Sequence, residues 1–160
     1  MTAQSMRQAG VQDTAPLQLQ REPSPPWRIL VVDDEPMICH LSTRVLTGCG
    51  YQVDTAEDGA AAWQALNSEC YDLLVTDNNM PKVSGVELLK MLHAARMTLP
   101  VIMVSGAMPT EELSWHPWLQ IDAALAKPFS SAELLKTVRR VLGSADAVRE
   151  QIGSSQNWRN

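Results

Sequence analysis

The sequence predicts an α/β protein in which five parallel strands alternate with helices in a three-layer sandwich. Three observations lead to this class. Five segments of strand length recur along the chain, each is followed by a segment with helical signals, and the turns between them are polar or rich in Gly and Pro. Strands that alternate with helices imply parallel pairing through right-handed crossovers, with helices on both faces of one sheet. A doubly wound sheet with strand order 2-1-3-4-5 is one common arrangement of this kind.

Composition limits the classes of protein that need to be considered. A chain of 160 residues suits one domain with additional tails, and 45% apolar residues are enough for a core. The net charge of −5 argues against nucleic acid as a partner, because nucleic-acid-binding surfaces are basic. No apolar run approaches the roughly 18 residues that a membrane span needs, and the first residues lack the apolar block of a signal peptide. We therefore expect a cytoplasmic protein.

The three cysteines, Cys39, Cys49 and Cys70, include no Cys-x-x-Cys pair. We expect them to be small buried residues of a reducing compartment, neither a disulfide framework nor a zinc site.

Both ends of the chain are predicted to be tails. Residues 1–26 are polar, contain many glutamines and end in a proline-rich stretch, so they cannot bury enough surface to offset the entropy lost on ordering. Residues 27–143 form the predicted domain. Residues 144–160 form a C-terminal tail that either extends the last helix or frays.

The first two strand–helix units have clear boundaries. Arg28–Val32 is a short buried strand, and Pro36 suits the first turn of the helix that follows. Gly48 and Gly50 end that helix. Tyr51–Thr55 alternates as an outer strand does, and the Asp-Gly pair after it opens a second helix.

The third and fourth units supply the middle of the sheet. Leu73–Thr76 is apolar on both faces, as a central parallel strand covered by helices is, and it ends abruptly at Asp77. A third helix is predicted over Gly85–Met97. Its inward residues are predicted to be Leu88, Leu89, Leu92 and Ala95. A fourth strand over Pro100–Val104 ends in Ser105.

The last unit begins after a short fourth helix. That helix starts at Thr110 and is limited by Pro117. Small residues over Ile121–Ala126 form a fifth strand. Ser131 is predicted to cap the last helix, and Gly143 is predicted to end it. The apolar stripe of that helix is predicted to be Leu134, Leu135, Val138, Val141 and Leu142.

Polar side chains follow four of the predicted strands, where each strand ends. Strand one ends in Asp33 and Asp34, strand three in Asp77, strand four in Ser105 and strand five in Lys127. In the order 2-1-3-4-5 these groups converge on one edge of the sheet. Clustered carboxylates repel one another unless a cation lies between them, and hard oxygen ligands suit Mg²⁺. An aspartate beside Mg²⁺ and a lysine is a nucleophile suited to phosphoryl transfer.

These residues resemble the receiver domain of two-component response regulators, from about Trp27 to Leu142. The resemblance implies a flavodoxin-like fold and a phosphorelay function. The motifs that carry it are Asp33-Asp34, Asp77, Met80-Pro81 with Gly85, Ser105, and Lys127-Pro128-Phe129.

The resemblance implies that Asp77 accepts a phosphoryl group from a phosphohistidine on a sensor histidine kinase or a phosphotransfer protein. Asp33, Asp34, Asp77 and the backbone carbonyl of Asn79 would hold Mg²⁺ or Mn²⁺. Such a domain assists its own phosphorylation and dephosphorylation but is not a classical enzyme. The expected protein is a single-domain regulator, a monomer or weak dimer, whose phosphorylation alters binding to an unknown downstream protein.

The resemblance also assigns the residues around the phosphoryl group. Lys127 would pair with Asp77 and then with the phosphoryl group, Ser105 would bond a phosphoryl oxygen, and Gly106 would leave room for the donor. The peptide bond before Pro128 would be cis.

The chain departs from the family at Ala124, where an aromatic switch residue is usual. Trp115 and Trp118 lie near the helix break at Pro117. We hypothesise that the surface of helix four, strand five and helix five carries an altered signal with help from these rings; the alternative is that both rings pack in the core or a loop.

Three alternative functions differ in how well the sequence supports them. A scaffold that signals by binding without phosphorylation stays open because of Ala124. A phosphatase of the haloacid dehalogenase type needs Asp-x-Asp after strand one, whereas Asp33-Asp34-Glu35 stands there. A flavin or dinucleotide site lacks its Gly-rich loop.

Overall fold

The computed structural model describes the chain from residue 26 to residue 155, with side chains described through Val148. The predicted tail over 1–26 therefore lies, apart from Pro26, outside the described residues, as do residues 156–160. Five parallel strands form one sheet in the order β2-β1-β3-β4-β5, which confirms the predicted doubly wound fold. The strands are β1 (Arg28–Val32), β2 (Gln52–Ala56), β3 (Leu73–Asp77), β4 (Val101–Ser105) and β5 (Ala123–Ala126). The helices are α1 (Pro36–Gly48), α2 (Gly59–Ser68), α3 (Gly85–Ala94), α4 (Thr110–Trp115) and α5 (Ser131–Ser155).

The sheet is covered on both faces, and successive residues of each central strand enter different cores. Ile29 and Val31 belong to the core with α1 and α5, whereas Leu30 and Val32 belong to the core with α2 and α3. This alternation follows from the two-residue period of a strand. Every residue of β3 and β4 is buried, as their continuous apolar runs predict.

The register of the sheet brings the strand ends to one edge. The last residue of β1, Val32, is opposite Ala56 of β2 and Thr76 of β3. Ser105 of β4 is opposite Ala126 of β5. The residues that follow these positions therefore lie at the carboxyl edge of the sheet, where the chain crosses between its two halves.

Three helices begin at side-chain caps that the sequence supplies. The Asp58 carboxylate accepts a hydrogen bond from the Ala61 N–H at the start of α2 (2.8 Å). Ser84 and Glu87 form a reciprocal capping box at the start of α3. The cap of α5 is formed by Ser130 and Glu133, so the prediction that Ser131 caps this helix is wrong by one residue.

Two predicted helix ends are wrong. Helix α3 ends at Ala94 because Arg96 adopts a left-handed conformation (φ 55°), a common way to end a helix, and Ala95, predicted to face inward, is exposed. Helix α5 continues through Gly143 to Ser155, so Gly143 does not end it, and the C-terminal segment extends the last helix, which is one of the two outcomes predicted for it. A glycine inside a helix costs only about 1 kcal/mol, which the burial of the preceding Val141 and Leu142 can offset.

The cysteine prediction is only partly correct. The three thiols are free, but Cys49 and Cys70 are exposed and Cys39 is half-buried. Within residues 26–155, no helix has the length and apolar character that crossing a membrane requires.

Candidate functional site

Three carboxylates meet at the carboxyl edge of the sheet. Asp33 follows β1 and Asp77 is the last residue of β3, and both are almost fully buried. Asp34 is exposed beside them. One oxygen from each of these carboxylates lies within 4.8 Å of the other two. The sheet register thus brings together the three acids that the sequence predicted to converge.

Lys127, the residue after β5, supplies positive charge to this cluster. Its Nζ lies 2.8 Å from Asp33 Oδ2, 3.3 Å from Asp77 Oδ2 and 3.2 Å from Glu35 Oε1. Burial by itself lowers the pKa of Lys127, but the hydrogen bond to Asp33 and the other carboxylates outweigh it and raise the pKa above its usual value. Lys127 is therefore a fixed cation at neutral pH.

The pKa of the Asp33 carboxyl is shifted upward, whereas a simple ion pair with a lysine lowers the pKa of a carboxyl. Burial raises its pKa above the ordinary value, although the hydrogen bond from Lys127 and the N–H of Glu35 oppose that shift. The charge of Asp77 adds to the rise. One ammonium group therefore does not fully compensate for the burial of two neighbouring carboxylates.

The backbone after β3 holds one oxygen of Asp77 and leaves the other toward Lys127. Oδ1 accepts a hydrogen bond from the Asn78 N–H (2.7 Å) and a longer one from the Asn79 N–H (3.4 Å). A side chain at Gly85 would collide with the backbone carbonyl of Asp77, so only glycine permits α3 to approach this closely. The orientation of Asp77 is thus set by the β3–α3 loop.

The β4 and β5 ends place the remaining predicted residues. Ser105 is buried, and its hydroxyl donates to the Ala107 carbonyl (2.8 Å). A Cβ at Gly106 would meet no atom within 4 Å, so the space beside Ser105 is open. The Lys127–Pro128 peptide bond is cis. The Lys127 N–H donates to the Ser105 carbonyl (3.0 Å), which continues the β4–β5 pairing past the end of β5.

Two residues of the site were missed in the sequence. Asn78, the residue after β3, is buried, and its side-chain oxygen accepts a hydrogen bond from the Val86 N–H (3.0 Å). It therefore connects the end of β3 to the start of α3. Glu35, the residue before α1, contacts Lys127. The role of Asn78 could have been inferred, because Asn side chains commonly form hydrogen bonds with nearby backbone groups. The contact of Glu35 with Lys127 could not, because no sequence signal pairs residues 92 positions apart.

Ala124 and the two tryptophans are all exposed. Ala124 is exposed on β5. Trp115 and Trp118 are 72% and 45% exposed, so neither ring is a core residue. Trp118 packs instead against His93 of α3 and His116, with ring centroids 4.5 and 5.2 Å apart.

The donors at the carboxyl edge fit a divalent cation. Three neighbouring carboxylates provide hard oxygen ligands, which is the donor type that Mg²⁺ prefers. The fold and this edge together define a doubly wound α/β domain with an acidic pocket and a lysine at its switch point.

Comparison with known proteins identifies the family. Residues 29–139 match the family model described as the response regulator receiver domain, and this chain belongs to that family. Receiver domains act in two-component signalling, where they take a phosphoryl group from histidine kinases and bind Mg²⁺ at an acidic pocket.

Individual relatives agree with this assignment. The chain is 32% identical over 121 residues to the transcriptional regulatory protein CusR of Escherichia coli, covering 76% of this chain and 53% of CusR. It thus spans about half the length of the curated relatives it matches. A CheY-like receiver domain protein from Methanospirillum hungatei is 28% identical with a TM-score of 0.71, over 76% of this chain and 98% of that one. The chemotaxis regulator CheY4 of Vibrio cholerae is 30% identical with a TM-score of 0.67, over 72% and 98%.

Proposed function

We propose that this chain is a single-domain response regulator in which Asp77 accepts a phosphoryl group from a phosphohistidine donor. The donor is a histidine kinase or a histidine phosphotransfer protein. Phosphorylation then alters binding to a separate downstream protein. The proposal includes a monomer or weak dimer in the cytoplasm that does not contact nucleic acid, in keeping with a net charge of −5.

The observation that carries this proposal is the unequal environment of the two Asp77 oxygens. Oδ1 accepts two backbone N–H groups, which fix the carboxylate. Oδ2 has Lys127 as its contact at 3.3 Å and faces the acidic pocket. A nucleophile must be oriented and must also retain a free lone pair, and Oδ2 meets both conditions.

In the proposed transfer, Asp77 Oδ2 forms a bond to phosphorus as the bond from phosphorus to the donor imidazole nitrogen breaks. The electron pair of the broken bond stays on that nitrogen. Lys127 stabilises negative charge on the transferring phosphoryl oxygens, because its ammonium is already held beside Oδ2. The open space at Gly106 admits the donor.

Ser105 provides the link from the phosphoryl group to the rest of the domain. Its hydroxyl, now bonded to the Ala107 carbonyl, would donate to a phosphoryl oxygen instead. That exchange frees the Ala107 carbonyl and changes the loop that leads into α4. Because α4 has no buried residue, little packing opposes its movement.

The residues that would hold Mg²⁺ are Asp33, Asp34, Asp77 and the backbone carbonyl of Asn79. When bound, Mg²⁺ neutralises part of the carboxylate charge and of the phosphoryl charge. The clustered oxygens of the three aspartates support this assignment.

A second candidate function is a scaffold that binds its partner without phosphorylation. Ala124 favours it, because the exposed β5 position holds a methyl group and offers no ring to report the state of Ser105. The complete set of acids, hydroxyl and lysine at the pocket favours signalling by phosphorylation over this alternative.

The deciding experiment is intact-protein mass spectrometry after incubation with Mg²⁺ and acetyl phosphate. We expect one added phosphoryl group, lost in Asp77→Asn and in the presence of EDTA. Asp146→Asn, an exposed aspartate on α5, is the matched control and should be phosphorylated normally. Absence of phosphorylation in a wild-type protein that still binds Mg²⁺ would reject the proposal in favour of the scaffold.

A further inference from the structure

The surface around α4 carries exposed aromatic side chains that the phosphorylation site does not use. Among the residues whose side chains are described, the large apolar side chains that are exposed are Met37, Trp115, Trp118 and Val148. Two of these four lie three residues apart, at the end of α4 and just after it. Exposed tryptophans are uncommon in monomeric surfaces, and tryptophan is enriched at the energetic centres of interfaces.

The two indoles border two clefts, one between α3 and α4 and the other between the end of α3 and the segment that follows α4. Trp115 borders a cleft of about 660 Å³ together with Lys90, Met108 and the two glutamates of α4. Trp118 borders a second cleft of about 380 Å³ with Leu92 and His93. Each ring therefore borders a depression into which a side chain of another protein could insert.

Trp118 is held in place before any partner arrives. The Trp118 ring packs against the imidazoles of both His93 and His116. The next residue, Leu119, is buried, and its N–H donates to the His116 carbonyl (2.8 Å). A surface that is already ordered loses less conformational entropy on binding.

The charge of the larger cleft identifies the chemistry of the partner. Its walls carry two carboxylates, Glu111 and Glu112, and one ammonium, Lys90. Lys90 is paired with Glu112 at 3.3 Å, and Glu111 has no ion pair within the described part of the chain. A Lys or Arg side chain would find both the uncompensated Glu111 carboxylate and the face of Trp115, which attracts cations.

We propose that this α3–α4 surface, defined as Lys90, Glu111, Glu112, Trp115 and Trp118, is a docking site for a partner segment that presents a Lys or Arg beside apolar side chains. A second copy of this chain fits less well, because a two-fold contact through the surface brings two acidic clefts together. The site goes beyond the proposed function and does not depend on phosphorylation of Asp77.

The test selects binders from a displayed library of random 12-residue peptides against the full-length protein. We expect enriched peptides to carry Lys or Arg next to Leu, Ile, Met or Phe. Trp115→Ala should weaken the synthesised peptides about tenfold or more, as loss of an interface centre does. Val148→Ala removes another exposed apolar side chain, on α5, and should leave affinity unchanged.

A charge-reversing variant separates specific recognition from general adhesion to apolar surface. Glu111→Lys should abolish binding of the basic peptides, whereas a purely hydrophobic surface would retain it. Circular dichroism and thermal melting verify that each variant is folded. We expect Trp115→Ala and Glu111→Lys to fold, because both side chains are exposed. The proposal is overturned if acidic peptides are enriched, if peptides bind Trp115→Ala as tightly as the wild type, if no peptide is enriched, or if light scattering detects Trp115-dependent dimers.

Discussion

The two ends of the sheet hold clusters with similar charges but different exposure. At the amino end, Arg28 contacts Asp54 and Glu69, and these side chains are 31%, 43% and 52% exposed. At the carboxyl end, Lys127 contacts Asp33 and Asp77, and the exposures are 15%, 2% and 6%. Each cluster thus pairs one cation with carboxylates that outnumber it.

Exposure determines what each cluster contributes. Water solvates the acids at the amino end. Their excess negative charge therefore destabilises the fold little, and their pairing with Arg28 stabilises it little. The acids at the carboxyl end are removed from water, so their repulsion persists. Because burial raises the pKa of Asp33, the folded state holds that proton more tightly than the unfolded state does. Ionised Asp33 therefore costs stability as pH rises above its ordinary pKa. A buried cluster with uncompensated negative charge indicates a site that binds a cation in its function.

The largest effect is expected for Lys127→Met. This change leaves Asp33 and Asp77 buried without their ammonium partner, and breaking a buried pair costs about 3 kcal/mol. We expect the free energy of unfolding in EDTA to fall by about that amount, and saturating Mg²⁺ to restore part of it because a cation returns to the pocket. Urea denaturation with and without Mg²⁺ measures both. Lys136→Met, an exposed lysine of α5, should change neither; an equally small effect of Lys127→Met would contradict the account of the buried cluster.

Asp34→Asn should separate metal binding from the stability of the protein without metal. Asp34 is exposed, so in EDTA the substitution should change the unfolding free energy by less than about 0.5 kcal/mol. Mg²⁺ at ten times its dissociation constant should stabilise the wild type by about 1.4 kcal/mol, and at that concentration the variant should gain much less. Thermal melting over a Mg²⁺ titration measures the difference. If the variant gains as much as the wild type, Asp34 is not a ligand.

The sheet and the acids of this site were predictable because they depend on local patterns. Buried strands such as Leu73–Asp77 are continuous apolar runs, and parallel pairing then brings their polar ends to one edge. The helix ends were less predictable. Gly143 resembles a terminator, but packing of the residues before it decides that α5 continues. The contact of Glu35 with Lys127 joins distant parts of the chain and follows from tertiary structure alone.

Arg28→Met tests the amino-end cluster by the same kind of change as Lys127→Met. The Arg28 guanidinium also lies 5.0 Å from the centre of the Tyr71 ring, so packing is lost along with charge. Because the side chains are partly exposed, we expect a clearly smaller loss of unfolding free energy than for Lys127→Met, and a still smaller one in high salt. Urea denaturation at low and high NaCl measures it. If Arg28→Met lowers the free energy of unfolding as much as Lys127→Met does, exposure does not determine how much each cluster contributes to stability.

Tyr71→Phe tests the smallest contribution to stability in the amino-end cluster, the hydrogen bond of the Tyr71 hydroxyl. The Tyr71 hydroxyl donates to Asp54 Oδ2 (3.0 Å), and burial together with that carboxylate raises the pKa of Tyr71 to about 12. The unfolded chain has a tyrosine pKa of about 10. A raised pKa in the folded state means that its stabilising contribution is complete below pH 10 and is lost as pH rises through 12. We therefore expect the stability difference between wild type and Tyr71→Phe, at most about 1 kcal/mol after solvent screening, to shrink from pH 9 to pH 12. Urea denaturation of both proteins across that range measures it, and a difference independent of pH would show that the hydroxyl is not coupled to Asp54.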